Sequence, residues 1–159
     1  MLKEIISIPI GIVCCRQREP ADDVWGGVIS RIDLDSSRFT PDALLGLSDY
    51  SHVEVIFHFD RLPESDAITG ARHPRGRSDW PSVGIFAQRA KKRPNRLGAT
   101  VCRLKAVGGL SVEVEGLDAI DGTPVLDIKP YIAEFGPHGP VRQPAWATEL
   151  MAGYYTRKS

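Results

Sequence analysis

The sequence predicts an all-β protein: a small β-barrel of short, mostly antiparallel strands with one or two short helices. Segments rich in β-branched residues recur along the chain, and Asn, Asp, Gly and Pro separate them. The 12 prolines and 15 glycines among 159 residues provide many turns. We expect one domain over residues 1–159, because a chain of this length buries about two-thirds of its unfolded surface in a single core.

Seven segments are predicted to be strands. The clearest is Val53–Phe59, in which every second residue is apolar, so that one face is buried and the other carries polar side chains. The seven segments are Ile5–Val13, Val28–Leu34, Val53–Phe59, Val83–Ala87, Ala99–Val107, Leu110–Val114 and Val125–Ile128.

Two short helices are predicted. Thr40 followed by Pro41 is typical of a helix start, and Gly46 would end that helix. A second helix is expected over about residues 143–153, near the end of the chain. Residues 61–82 contain no convincing strand, and a loop of that length is usually functional or disordered.

The composition excludes several classes of protein. Hydrophobic residues make up 42% of the chain and charged residues 25%, which argues against disorder, a collagen-like repeat or a coiled coil. Cys14, Cys15 and Cys102 form no Cys-x-x-Cys pair, so we expect neither a disulfide framework nor a metal site. Without a signal-peptide pattern or a stretch of about 20 apolar residues, a cytoplasmic protein with no membrane partner is expected.

The 20 basic and 20 acidic residues balance overall but not locally. Residues 71–105 contain ten basic residues and one acidic residue, a net charge of +9, between two acidic flanks. Such a segment suits phosphate or another anion. The alternative is a solvated loop, or charges paired with the acidic flanks.

The polar face of Val53–Phe59 is a second candidate. His52, Glu54, His58 and Asp60 follow one another in a row, with His52 and His58 about 20 Å apart. That separation is too long for both histidines to bind one metal ion, so a metal hydrolase is a poor interpretation. The plain alternative is a half-solvated sheet face.

Two further segments combine turn residues with charge. In Phe86–Gly98, arginines offer planar donors to a carboxylate or phosphate, and Asn95 follows Pro94 on a stiffened turn, although a basic surface hairpin explains the pattern equally well. In Gly116–Tyr131, Asp127 and Lys129 lie two apart on an apolar strand and therefore point the same way. Burying such a charged pair in the core would be costly, so the pair indicates a functional site. The alternative is an edge strand that carries a surface ion pair.

Together these two segments resemble the TsaA-like, or tRNA methyltransferase O-like, family. The resemblance rests on Gly84-Ile-Phe-Ala-x-Arg-x-x-x-Arg-Pro-Asn-x-x-Gly98, followed by Leu117-Asp-x-x-Asp-Gly-Thr-Pro-Val-Leu-Asp-Ile-Lys-Pro-Tyr131. It includes Ile10–Val13 and the approach to His52, and it covers most of residues 5–135. Cys14-Cys15-Arg16 depart from the Arg-Ser-Pro of many members, and the sequence resembles a short branch that lacks the C-terminal extension.

The resemblance implies a TsaA-like β-barrel that binds S-adenosylmethionine and forms a homodimer. The implied reaction is methylation of N6 in the N6-threonylcarbamoyladenosine beside the tRNA anticodon. The alternative is a non-catalytic module that binds S-adenosylmethionine or RNA. Matching residue by residue, the implied cofactor pocket contains Asp60, Arg61, Arg93, Asn95, Leu117, Asp118, Asp121, Gly122 and Thr123.

The chemistry of the implied cofactor and reaction suggests a role for each of these side chains. Asp118 or Asp121 would accept hydrogen bonds from the ribose or the amino group of the cofactor, Arg93 would meet its carboxylate, and Leu117 would pack on adenine. Asp127 is the expected proton acceptor, with Lys129 as its orienting partner. The residues expected to hold RNA phosphates are Arg72, Arg75, Arg77, Lys91, Lys92 and Arg96.

Overall fold

The computed structural model describes residues 1–157 and contains eight strands and one α-helix in that range. The strands are β1 (Gly11–Cys15), β2 (Ile29–Leu34), β3 (His52–His58), β4 (Ala71–Arg72), β5 (Val83–Gly84), β6 (Leu97–Gly108), β7 (Ser111–Glu115) and β8 (Pro124–Pro130), and the helix α1 is Ala145–Met151. Six strands close into a barrel in the order β1–β2–β7–β6–β3–β8, and every pairing, including that of β8 with β1, is antiparallel. This confirms the predicted fold class.

The interior of the barrel follows the period-two pattern of the sequence. Val53, Val55 and Phe57 of β3 are completely or almost completely buried, whereas the residues between them face outwards. Gly98 of β6 lies opposite Phe57, and a Cβ atom there would stand 2.4 Å from two carbons of the phenyl ring. Gly98, which follows the basic loop (residues 89–96), is therefore required for close packing.

Three predicted elements differ from the structure. Strand β1 begins at Gly11 rather than at residue 5, and Ile5, Ile6 and Ile8 are exposed, because β-branched side chains without a neighbouring strand do not form a sheet. Of Val83–Ala87, the first two residues form β5, which pairs with β4 inside the loop predicted to lack strands, and the rest form a 3₁₀ turn. The predicted first helix is a 3₁₀ turn, Pro41–Leu44.

One end of the barrel collects three connections, and we call it the site end. The register places Phe57 beside Val125 and His58 beside Leu97, so β1, β3 and β7 finish at this end while β2, β6 and β8 begin there. The connections that meet are residues 16–28, 59–96 and 116–123. The chain after α1 also returns to this end. No helix within residues 1–157 is long and apolar enough to cross a lipid bilayer.

Candidate functional site

A cleft opens at the site end, between the three connections. Its walls are mainly apolar, and four charged residues of both signs stand at them. The apolar wall comprises Pro20, Ala21, Trp25, Phe59, Leu62, Ala119 and Ile120, with Thr123 beside them; the charged residues are Asp60, Arg61, Lys91 and Asp118. A small organic molecule with a flat apolar part and charged groups of both signs would match this lining.

Asp118 is held in place from two directions. Its neighbour Leu117 is completely buried in the barrel core, which fixes the backbone at this point. The Thr100 hydroxyl of β6 donates to Asp118 Oδ1, and the Tyr154 hydroxyl, from beyond α1, donates to Oδ2. Leu117 was expected to pack on adenine; its side chain is instead part of the core, and it does not line the cleft.

Asp121 and Gly122 shape the turn that precedes β8 rather than the cleft wall. The amide of Cys15 donates to Asp121 Oδ1 at 3.0 Å, and the amide of Gly122 donates to the Val13 carbonyl at 2.7 Å. Gly122 has φ +81°, the left-handed conformation that favours glycine. Arg61 donates to the Asp121 carbonyl at 3.0 Å, so this turn also positions a charged residue of the cleft.

The basic loop contributes one residue directly to the cleft, Lys91. Arg93, expected to meet the cofactor carboxylate, donates to the Gln88 carbonyl at 2.8 Å and does not line the cleft. Asn95 and Arg96 both have positive φ, 62° and 50°. Arginine in this conformation is strained. The Arg96 guanidinium donates to the Leu62 carbonyl, which ties the turn to the start of the same connection.

Asp127 and Lys129 are in contact but lie outside the cleft. Both point outwards from β8, as the spacing predicts, and form an ion pair whose side chains are 43% and 57% exposed. The hydrogen bond to Asp127 raises the pKa of Lys129. This geometry matches the alternative interpretation, a surface ion pair, and the expected catalytic role has no support from the position of the pair.

The polar row on β3 is a partly solvated outer face. His52 shares a 2.8 Å hydrogen bond with the adjacent Ser51, and partial burial together with the nearby Arg96 charge lowers the pKa of His58. Asp60, at the end of the row, is the member that reaches the cleft. Within residues 1–157, no group of three or more His, Cys, Asp or Glu side chains is placed to hold a metal ion.

Half of the six residues expected to bind phosphate already have a carboxylate partner. Arg75 pairs with Asp23 and Lys92 with Asp66, each at 2.9 Å, and Arg77 pairs with Asp79. Arg72 is partly buried. Carboxylates therefore neutralise half of the six predicted cations. Asp23 and Asp66 belong to an acidic flank, as the alternative interpretation of the charge pattern anticipated, and Asp79 is the one acid of the basic segment itself.

Sequence reasoning missed the apolar wall of the cleft and both hydroxyl groups that hold Asp118. Trp25 and Phe59 form apolar walls, and Tyr154 holds Asp118. Phe59 continues the alternation of buried residues in β3, so the sequence predicted it to lie in the core rather than at the cleft. Trp25 and Tyr154 come together across 129 positions, and no local pattern encodes such a contact.

Comparisons with known proteins agree with this architecture. The family model of the tRNA-methyltransferase O N-terminal domain matches residues 16–136. A probable S-adenosyl-L-methionine-binding protein of Pyrococcus abyssi is 34% identical over 130 residues, which cover 80% of this chain and 68% of that protein. The human tRNA (adenine(37)-N6)-methyltransferase is 38% identical over 114 residues, 72% of this chain and 25% of that protein.

Solved structures give the same result. A TrmO from Pseudomonas aeruginosa superposes with a TM-score of 0.73 and 28% identity, covering 92% of this chain and 63% of that one. The chain spans about a quarter or less of the mammalian relatives that it matches. Since the family model covers most of the barrel and its site-end loops, the chain belongs to the tRNA-methyltransferase O N-terminal domain family.

Proposed function

We propose that this protein is an S-adenosylmethionine-dependent tRNA methyltransferase that methylates N6 of N6-threonylcarbamoyladenosine beside the anticodon. The observation that carries the proposal is the cleft at the site end, which combines apolar walls with two carboxylates and two cations in a chain of this family. Relatives named as tRNA (adenine(37)-N6)-methyltransferases and as S-adenosyl-L-methionine-binding proteins support the cofactor and support N6 of an adenine in tRNA as the methylated position.

The residues of the cleft fit S-adenosylmethionine, which when bound supplies an electrophilic methyl group on a positively charged sulfur. Trp25 and Phe59 offer flat apolar surface for adenine. Asp118 offers acceptors for hydroxyl or ammonium groups, and Arg61 and Lys91 offer positive charge for the carboxylate. In this assignment Arg61 and Lys91 take the part expected of Arg93, which is turned towards Gln88.

The acceptor nitrogen is a weak nucleophile, because its lone pair is delocalised, so the protein must align it and accept its proton. Asp60 is better placed for the proton than Asp127. It lines the cleft, and no side-chain hydrogen bond to its carboxylate is formed within residues 1–157. Asp118, whose two oxygens already accept hydrogen bonds, is better suited to binding.

The RNA surface is proposed to consist of cations without a carboxylate partner. Arg61 and Arg96 donate to backbone carbonyls, which leaves their positive charge in place, and Lys91 stands at the cleft itself. Arg16 and Arg18 belong to the first connection, whose Arg18 carbonyl accepts from Arg61 at 3.0 Å. Within the described chain these five cations are in no ion pair. Arg61 and Lys91 line the cleft and are assigned to the cofactor, so Arg16, Arg18 and Arg96, on the connections that meet at the site end, are the ones proposed to contact RNA phosphates.

A homodimer and a cytoplasmic location are part of the same proposal. The barrel and the N-terminal segment expose large apolar side chains, among them Ile5, Ile12 and Val101, and α1 leaves Met151 38% exposed. Exposed apolar area of this kind suits association with a second copy. Light scattering at tens of micromolar would reveal a dimer, and a monomer at that concentration would contradict this part of the proposal.

The test is transfer of a labelled methyl group from S-adenosylmethionine to tRNA. Wild-type protein should label tRNA that carries threonylcarbamoyladenosine and should not label the same tRNA without the threonylcarbamoyl group. Asp60→Asn should reduce the rate about 100-fold or more, the usual contribution of a general base. Asp49→Asn, an equal change of charge at the opposite end of the barrel, is the control. Cofactor binding without any transfer would favour the non-catalytic module instead.

A further inference from the structure

The segment that follows α1, residues 153–157, forms a C-terminal strap across the site end. Its backbone pairs with the first connection, residues 16–28. The amide of Trp25 donates to the Tyr154 carbonyl at 2.8 Å, and the amide of Gly26 donates to the Thr156 carbonyl at 3.2 Å. A Cβ atom at Gly26 would lie 1.8 Å from the Tyr155 carbonyl oxygen, so the contact requires glycine. The strap lies beyond residues 16–136, which the family model matches.

The strap contacts Asp118, a residue of the cleft, through the side chain of Tyr154. Its hydroxyl donates to Asp118 Oδ2, while Thr100 holds Oδ1 from the other side. Burial and the adjacent Asp118 charge raise the pKa of Tyr154 far above its usual range, so the hydroxyl keeps its proton and acts as a donor to the carboxylate.

We propose that Tyr154 is a positioning residue for cofactor binding, which together with Thr100 fixes the Asp118 carboxylate in the orientation that it presents to the cleft. The inference rests on the proposed function, since Asp118 is taken to bind S-adenosylmethionine. A carboxylate held through both oxygens from two separate elements has lost its rotational freedom before the ligand arrives, which lowers the entropic cost of binding. Each oxygen keeps a second lone pair for the ligand.

The strap does not depend on this hydroxyl for its own attachment. The backbone bonds to Trp25 and Gly26 remain without it, and the Trp80 indole donates to Glu149 of α1 at 2.8 Å. Replacing Tyr154 with phenylalanine therefore removes the bond to Asp118 and leaves the strap in place. This separation makes the positioning role testable apart from folding.

The experiment measures the Kd of S-adenosylmethionine by calorimetry for the wild type, Tyr154→Phe, Asp118→Asn and the double variant. Tyr154→Phe should bind roughly 10- to 150-fold more weakly, the range expected for one hydrogen bond to a charged group. The double variant should bind about as weakly as Asp118→Asn alone, since the tyrosine acts through the carboxylate. Trp80→Phe, which loosens α1 without touching Asp118, should stay within about twofold of the wild type.

A second variant covers the case in which Tyr154→Phe does not fold, as judged by circular dichroism. Thr100→Val removes the donor on the other oxygen and should weaken binding in the same direction. Wild-type affinity in either folded variant, or additive effects in the double variant, would overturn the inference while the proposed function stands. A wild-type protein that binds no S-adenosylmethionine would overturn the proposed function, and this inference with it.

Discussion

Lys91 and Arg93 stand two positions apart in the basic loop and have different surroundings. Lys91 lines the cleft, whereas the Arg93 guanidinium is bonded to the Gln88 carbonyl and supports the loop. The motif pattern assigns Arg93 to the cofactor, and the geometry assigns Lys91. A sequence motif shows which residue types occur together, but it does not show which side chain points towards the ligand.

The two assignments make different predictions for alanine variants. Lys91→Ala should weaken S-adenosylmethionine binding about 10-fold or more, because a charged partner of the carboxylate is lost. Arg93→Ala should lower the melting temperature and leave the affinity of the folded protein within about threefold. Calorimetry and thermal unfolding of both variants measure this, and a larger affinity loss in Arg93→Ala than in Lys91→Ala would restore the motif-based assignment.

His58 gives the stability of the protein a dependence on pH. Partial burial, reinforced by the Arg96 charge, lowers the pKa of His58 in the folded chain below the ordinary value of 6.5. The unfolded chain therefore binds more protons as the pH falls through that range, and the free energy of unfolding decreases on acidification. His58→Gln should lose less stability than the wild type between about pH 7.5 and 5.

Thermal unfolding of the wild type, His58→Gln and His138→Gln over this range tests the prediction. His138 is exposed and serves as the control. Parallel pH profiles for the wild type and His58→Gln would show that the environment of this histidine contributes nothing to acid sensitivity.

Among the elements, the strands with partners on both sides were predictable from the sequence. The alternation in β3 gave its buried face and placed each of its ends within one residue, and the turn at Gly122 marked the start of β8. The N-terminal isoleucines show the limit of such reasoning. Propensity favours a strand at Ile5–Ile8, yet these residues meet no neighbouring strand, and pairing is decided by the whole barrel.

Strand β6 offers a test of packing with its own control. Gly98→Ala would push a methyl group into the Phe57 ring and should lower the free energy of unfolding by about 1–3 kcal/mol. Gly108→Ala, at the far end of the same strand, would place its methyl group in open space. Denaturant unfolding compares the two, and equal stabilities would contradict the close approach of β6 to Phe57.

Over the whole molecule, the charge pattern located the basic segment but did not show which of its cations are paired. The net charge of +9 in residues 71–105 is opposed by acidic residues that lie far away in sequence, such as Asp23 beside Arg75. Pairing of this kind depends on the fold and cannot be read from local composition. The cleft depends on the fold in the same way, because Trp25, Asp60 and Asp118 come from three separate connections.

The salt dependence of tRNA binding distinguishes paired from unpaired cations. Replacing Arg16 and Arg18 with alanine should reduce the slope of log affinity against log salt by about two or less, because up to two phosphate contacts are lost. Replacing Arg75 and Lys92, which are held by Asp23 and Asp66, should change the slope much less. Filter binding at several salt concentrations measures both slopes. A larger change of slope in the Arg75 and Lys92 double variant would show that these paired residues contact the phosphates.

The central claim is that the cleft at the site end holds S-adenosylmethionine and methylates the modified adenosine beside the anticodon. The most direct measurement is nucleoside mass spectrometry of tRNA that carries threonylcarbamoyladenosine, after incubation with the cofactor and either the wild type or Asp60→Asn. The account predicts one added methyl group on that nucleoside with the wild type and little or none with the variant. An unmethylated nucleoside with the wild type, or full methylation with Asp60→Asn, would contradict it.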